Sequence, residues 1–376
     1  MPETCATSPE NYVPSAILVF GIALGLSILL TVLAKRIAPR LGLIDKPRGR
    51  HQHGREVVRF GILPLWGAFT VTALFAQVLP VPRCDPYEVI RLAGLLVGGT
   101  VISIFGVIDD KFSFPPLPLY IVQLLVAGIG VAFLIFIQRF HNPITGDLTE
   151  LPYIVTVTVS LFWLGLTMNT LNWLDGVDGL AAGVAFIAAT LLFIHMLRVE
   201  GQFQNPTAQY SVSLLPLALM GATLGFLFFN WHPASIFMGG GAYFLGYTLG
   251  SLGIIGGAKL ATVLLVLGLP LLDVFWQIIR RILSGKNPGI GDRGHIHFRL
   301  VDVNVSPRLI AGGYYLFCAT FGVIALIIPT SQSQFKLLAL LIMVGLTVIG
   351  FSLIARLSTL TDTTDSDETS HVTHPR

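Results

Sequence analysis

Eleven apolar stretches of roughly 20 residues, parted by short polar segments, constrain this chain more than any other feature. They run approximately from Pro14 to Ala34, Phe60 to Pro80, Arg91 to Ile108, Leu117 to Ile137, Tyr153 to Met168, Leu180 to Leu197, Ser211 to Phe229, Ala242 to Gly256, Leu260 to Ile282, Leu309 to Ile328 and Phe335 to Ala355. A hydrocarbon core about 30 Å thick asks for helices of about this length. Only 11% of the residues are charged, against about a quarter in soluble domains, so water is not the main solvent. The expected class is all-α: a polytopic integral membrane protein with about 11 transmembrane helices.

Composition also excludes classes. A net charge of +3, with no basic patch interleaved with aromatic residues, argues against nucleic-acid binding. Cys5, Cys84 and Cys318 lie far apart and outside metal-ligand spacing, so neither a disulfide framework nor a zinc site is expected. Met1 to Pro14 carries two glutamates and no basic residue, the wrong flank for a cleaved signal peptide, so the first span is expected to remain.

Lys and Arg set the orientation. An odd number of spans places the termini on opposite sides, and one side holds 17 of the 23 basic residues, eight of them between Lys35 and Arg59. By the positive-inside rule the N-terminus is outside and the C-terminus cytoplasmic. Five polar clusters then fall on the inner side, at residues 35–59, 109–116, 169–179, 230–241 and 280–308. Residues 1–356 read as a single transmembrane domain, and the Thr- and Asp-rich segment 357–376 as a disordered cytoplasmic tail. There is no internal repeat.

The clusters suggest chemistry. Asp109 and Asp110 end the third span, where they repel each other and the helix dipole. A divalent cation or a proton to be moved would offset that cost, and a solvated cap countered by Lys111 explains the pair equally well. The run Asn169-Thr-Leu-Asn172-Trp-Leu-Asp175-Gly-Val-Asp178-Gly179 concentrates two further amides and two carboxylates in oxygen-only chemistry that suits magnesium. A tight Asp-Gly turn between helices is its plainer explanation. Asp292-Arg293-Gly294-His295-Ile296-His297-Phe298-Arg299 offers a clamp for phosphoryl oxygens, and a basic stop-transfer loop would account for the arginines but not the histidines. Asp45, Lys46, Arg50, His51 and His53 in the first loop are explained by topology alone. Asp273, inside the ninth span and about two turns before Arg280, is as readily a structural partner of a basic residue as a functional acid.

In this order the clusters resemble the polyprenyl-phosphate N-acetylhexosamine-1-phosphate transferase family. Asp109-Asp110, the run from Asn172 to Gly179, Asn230 through Met238 and Asp292 through His297 are similar to its four main motifs, and the likeness covers Asp45 to Leu300. The resemblance implies a UDP-sugar donor, with N-acetylglucosamine the sugar of the branch it looks closer to. It implies undecaprenyl phosphate or a similar lipid as acceptor, magnesium or manganese as cofactor, and release of UMP at the inner membrane face in cell-wall or surface polysaccharide synthesis. Membrane lipids are expected partners, and a homodimer is compatible with the reading.

By position the resemblance gives catalysis to Asp109, Asp110 and Asp175, with Asp109 nearest the acceptor phosphate. It gives metal binding to Asp109, Asp110 and Asn172. Substrate binding falls to Asn172, Asp178, Asn230, Phe237, Arg293, His295, His297 and Arg299, with Asp178 and Phe237 at the uracil and the histidines and Arg299 at the phosphates.

Three positions depart from the family pattern. Where it reads Met-Gly-Asp-x-Gly-Ser, this chain has Met238-Gly239-Gly240-Gly241-Ala242, one residue shorter and without the aspartate that serves as metal ligand. Either Asp109, Asp110, Asp175 or Asn172 holds the ion instead, or the standard chemistry is gone. A common His-His pair is His297-Phe298 here, and an expected Gly-Gly is Gly61-Ile62. A catalytically degenerate relative that binds UDP-sugar or lipid is therefore the first rival reading. A transporter of nucleotide or lipid-linked sugars ranks last, because polar residues gather at one face rather than at the midplane.

Overall fold

The computed structural model describes residues 10–45, 56–142, 147–197, 209–257, 260–285, 294–328, 332 and 334–350. The expected disordered tail, the first-loop residues Lys46, Arg50, His51 and His53, and Asp292 and Arg293 lie outside these residues.

In chain order the elements are α1 (Tyr12–Leu41), β1 (Ile44–Asp45), β2 (Val57–Arg59), α2 (Ile62–Phe75), α3 (Glu88–Phe112), α4 (Pro116–Ala132), β3 (Arg139–His141) and β4 (Leu148–Glu150). Then follow α5 (Tyr153–Leu174), α6 (Leu180–Leu197), α7 (Tyr210–Asn230), β5 (Ile236–Phe237), α8 (Gly241–Ile255), α9 (Leu260–Val266), α10 (Gly268–Leu283), α11 (Ile296–Asp302) and α12 (Pro307–Ile327). A last helix, α13, spans Gln334–Gly350. Helices α1, α3, α5, α6, α7 and α12 are long and apolar enough to cross a membrane, and α2, α4, α8 and α13 are shorter apolar helices. The chain is an all-α, multi-pass membrane protein, as expected, because helices satisfy every backbone group where no water can.

Small residues bring the helices together. The buried stripe of α1 is Ser15, Val19, Ala23, Ser27, Thr31, Ala34 and Ala38, spaced three to four apart. It packs on α7, where a Cβ at Gly225 would lie 2.7 Å from Ser27 Cβ, and Ser27 Oγ donates to Ala222 O at 2.6 Å. With lipid as apolar as leucine, close backbone approach and interhelical hydrogen bonds hold such pairs. Helix α8 is buried along its whole length. It is held between α5, through Trp163 Nε1 donating to Gly250 O at 3.0 Å, and α3, through Tyr247 Oη donating to Gly94 O at 2.9 Å. The residues just before α8 are thereby fixed at the centre of the bundle.

The ninth expected span is broken into α9 and α10. Pro270 has no N–H to give Val266, so the helix restarts at Gly268. The second piece buries Asp273, Gln277 and Arg281 and exposes Phe275, Trp276, Ile279 and Ile282. One cysteine expectation also fails: Cys84 is disulfide-bonded, whereas Cys318 is free and buried.

Candidate active site

A three-stranded sheet, ordered β1-β2-β5, begins the site. β2 runs antiparallel to β1 and parallel to β5, with Arg59 in register with Phe237. Arg59 N donates to Leu43 O and Gly61 N to Phe237 O, both at 3.0 Å, which fixes Arg59 beside the Gly239-Gly240 loop. Its Nε then sits 2.9 Å from Asp110 Oδ1 at the end of α3. The other oxygen, Asp110 Oδ2, accepts from Gly240 N at 2.8 Å. The Asp110 side chain is 1% exposed and the Arg59 side chain 41%, so the guanidinium covers the carboxylate. Burial pulls the Arg59 pKa down, but Asp110, Asp175, Asp45 and Asp109 outweigh it and hold the group above its ordinary value.

The glycines of this loop are required by space. Gly239 has φ of +57°, and a Cβ on it would overlap the Asp110 carboxylate. A Cβ on Gly240 would overlap the Gly106 backbone, since α3 and the loop touch there without side chains.

Asp175 follows α5 and is half-buried. Burial, together with repulsion from Asp110 and Asp178, pushes its pKa up to about 8 against the pull of Arg59 and the Gly239 N–H. Asp178 is engaged across the loop: its Oδ2 lies 2.7 Å from His232 Nδ1 and accepts from Ala234 N at 3.0 Å. Asn230 Oδ1 accepts from Gly179 N at 3.1 Å, and Asn230 Nδ2 donates to Ile236 O at 2.9 Å. That buried amide ties the Asp175–Gly179 turn to β5.

Asp273 organises the histidine segment. Its Oδ2 lies 2.9 Å from His295 Nδ1 and its Oδ1 accepts from Ile296 N at 3.0 Å, while Gln277 Nε2 donates to Gly294 O. The rings of His295 and His297 stack at 5.5 Å between centroids. His297 is packed on the Asp175–Gly179 turn, where a Cβ at Gly176 would meet both His297 Nε2 and Phe298 Cζ at 2.6 Å.

The structure therefore gathers Asp110, Asp175, the loop after Phe237, Asp178 and His295 at one face of the bundle. It also corrects several expectations. Asn230 is 2% exposed with both amide ends engaged on backbone, so it braces the site and does not face substrate. His297 is 1% exposed and packs as a neutral ring, burial lowering its pKa to about 3, and neither of its nitrogens has a hydrogen-bond partner among the described residues. Asp109 Oδ1 accepts from Phe114 N at 2.9 Å and caps the end of α3. Asn172 is half-buried and makes no side-chain hydrogen bond among the described residues. Arg299 lies on α11 and Phe237 on β5. Sequence reasoning missed Arg59, which was absorbed into the topological charge count, and His232. It left Asp273 undecided between a structural and a functional role.

The expected magnesium set of Asp109, Asp110 and Asn172 does not fit an ion. Magnesium needs only one or two carboxylates besides substrate phosphates, but they must point at it. Asp110 is closed by Arg59 and Gly240, and Asp109 is turned to its cap. Among the described residues no group of three His, Cys, Asp or Glu side chains converges.

Comparison with known proteins agrees with the architecture. Residues 92–257 match the model of glycosyl transferase family 4. The chain is 30% identical over 335 residues, covering 87% of it and 89% of the relative, to a probable undecaprenyl-phosphate N-acetylglucosaminyl 1-phosphate transferase of Bacillus subtilis. It is 29% identical to a decaprenyl-phosphate N-acetylglucosaminephosphotransferase of Mycolicibacterium smegmatis, over 72% of each chain. An undecaprenyl-phosphate alpha-N-acetylglucosaminyl 1-phosphate transferase of Yersinia pestis is 26% identical over 73% of this chain and 74% of its own. The likeness to the Bacillus protein runs almost end to end through the helices that build the site, and the chain belongs to glycosyl transferase family 4.

Proposed function

We propose that this protein transfers N-acetylglucosamine-1-phosphate from UDP-N-acetylglucosamine to a polyprenyl phosphate such as undecaprenyl phosphate, releasing UMP at the inner membrane face. The observation that carries this reading is the meeting of Arg59, Asp110, Asp175 and the Asp273-anchored histidine segment at one end of the membrane helices. A phosphate on a lipid and a diphosphate from solution can both reach that end.

An oxygen of the lipid phosphate attacks the phosphorus that bears the sugar. The bond from that phosphorus to the bridging oxygen breaks, UMP leaves with the electron pair, and the sugar-phosphate bond stays intact. The chain's task is to hold two anions together and absorb charge that moves to the leaving oxygen. Arg59 supplies fixed positive charge. Asp175, protonated below about pH 8, adds no repulsion and offers a hydrogen bond. His295, oriented by Asp273, is placed to meet a phosphoryl oxygen. Asn172, whose amide has no hydrogen-bond partner among the described residues, meets the donor.

One observation favours binding without transfer: the Gly239-Gly240 loop has no space for an acidic side chain. Purified protein given undecaprenyl phosphate and a panel of UDP-sugars separates the two readings. Chloroform-soluble sugar diphospholipid with equimolar UMP from UDP-N-acetylglucosamine supports transfer. Saturable donor binding with no UMP from any sugar supports the degenerate reading.

A further inference from the structure

We propose that the Arg59 guanidinium is the resident cation of this carboxylate cluster, so that the site binds the donor's diphosphate without a divalent metal. The inference rests on the donor site assigned above.

Three independent features lead to it. First, the place is taken: Arg59 Nε stands 2.9 Å from Asp110 Oδ1, Gly240 N holds the other oxygen at 2.8 Å, and the carboxylate is almost sealed from solvent. A metal at Oδ1 would have to displace the guanidinium, and one at Oδ2 to break the backbone hydrogen bond. Second, the loop that faces Asp110 has no room for another ligand. Any side chain at Gly239 would run into the Asp110 carboxylate, and any at Gly240 into the backbone of Gly106. Third, the other acids of the site are engaged: Asp109 with Phe114 N, Asp178 with His232 and Ala234 N, Asp273 with His295 and Ile296 N, and Asp175 with the Gly239 N–H in the field of Arg59.

Arg59 is also equipped for the work. A guanidinium offers five N–H donors in a planar fork that matches phosphoryl oxygens. Here Nε faces Asp110, and the Nη groups make no hydrogen bond among the described residues, on a side chain that is 41% exposed. The β2 register with β5 sets its position without help from a ligand. The aspartate missing from Met238-Gly239-Gly240-Gly241-Ala242 is then a consequence of a cluster neutralised from within.

Two measurements on the full-length purified chain test this. In the first, manganese(II) is titrated without nucleotide and followed by EPR. The free-ion signal of the wild type is expected to stay undiminished at micromolar concentrations. Uptake of one equivalent that is lost in Asp110→Asn would overturn the proposal, whether or not the donor assignment holds. In the second, UDP-N-acetylglucosamine binding is measured by equilibrium dialysis in magnesium and in chelator. The two affinities are expected to agree within about twofold, and Arg59→Met to weaken binding about tenfold or more in both, as loss of charge-assisted hydrogen bonds does. Binding by the wild type that vanishes in chelator and returns with magnesium overturns the proposal. That comparison needs no variant to fold.

Discussion

Asp273 holds His295 from one helix away, with Oδ2 accepting from Nδ1 at 2.9 Å while Oδ1 takes the backbone N–H of Ile296 at 3.0 Å. The contact fixes both the ring and its tautomer, leaving Nε2 for substrate. In metal sites, loss of the carboxylate that orients a ligating histidine costs about 10–100-fold, and the orienting role is the same here. Asp273→Asn, which keeps the shape, is expected to lower the transfer rate by about that factor with little change in the melting midpoint. Asp273→Leu strands both donors in a buried place and is expected to destabilise the protein by about 3–5 kcal/mol. Paired assays of rate and thermal unfolding separate these effects, and an Asp273→Asn variant with the wild-type rate would remove His295 from the site.

The Gly239 prediction follows from space and backbone together. At φ of +57° a Cβ is strained, and here it would also strike the Asp110 carboxylate. Gly239→Ala is expected to cost about 1–3 kcal/mol, and Gly240→Asp to destabilise without creating a metal site. Thermal unfolding with and without manganese reports both. A stable Gly240→Asp protein whose midpoint rises with manganese would contradict the packing argument.

Donor binding should depend on pH through Asp175. Its pKa is pushed up to about 8, so the carboxyl is neutral at pH 7 and gains a negative charge as pH rises through 8. The new charge repels the diphosphate. UDP-N-acetylglucosamine affinity is expected to fall between pH 7 and 9, and Asp175→Asn to flatten that dependence in equilibrium dialysis. The same slope in the variant would assign the titration to another group.

His297 gives a stability prediction of opposite sense. Its pKa is lowered to about 3 in the folded protein from 6.5 in the open chain, so unfolding takes up a proton at intermediate pH. Its contribution is fully present above pH 6.5 and is lost as pH falls from there towards 3. The melting midpoint is expected to drop between pH 7.5 and 5, less steeply in His297→Phe. Equal slopes would show that His297 is not buried as a neutral ring.

Much of the fold was legible because the membrane leaves few choices: an apolar run of about 20 residues becomes a helix, and charge bias orients it. The eleven expected stretches correspond to the observed helices, with the ninth divided at Pro270. The sheet was invisible. Its strands are two or three residues long, too short for an alternating pattern, and Arg59 meets Phe237 from far along the chain. Arg59 was hidden for a second reason, since a basic residue at an inner helix start is what topology alone requires. The motif segments fold together at one face, but residue types did not disclose which side chains face outward. Asn230 and His297 look like ligands in sequence, and only packing shows one lacing backbone and the other pressed on Gly176.

The most direct test of the account follows a phosphorus atom. UDP-N-acetylglucosamine labelled at the sugar-bearing phosphate is incubated with undecaprenyl phosphate and purified protein. The account predicts label in the lipid phase together with unlabelled UMP in water, one for one. Label that stays in the aqueous phase while the protein demonstrably binds the donor would contradict it.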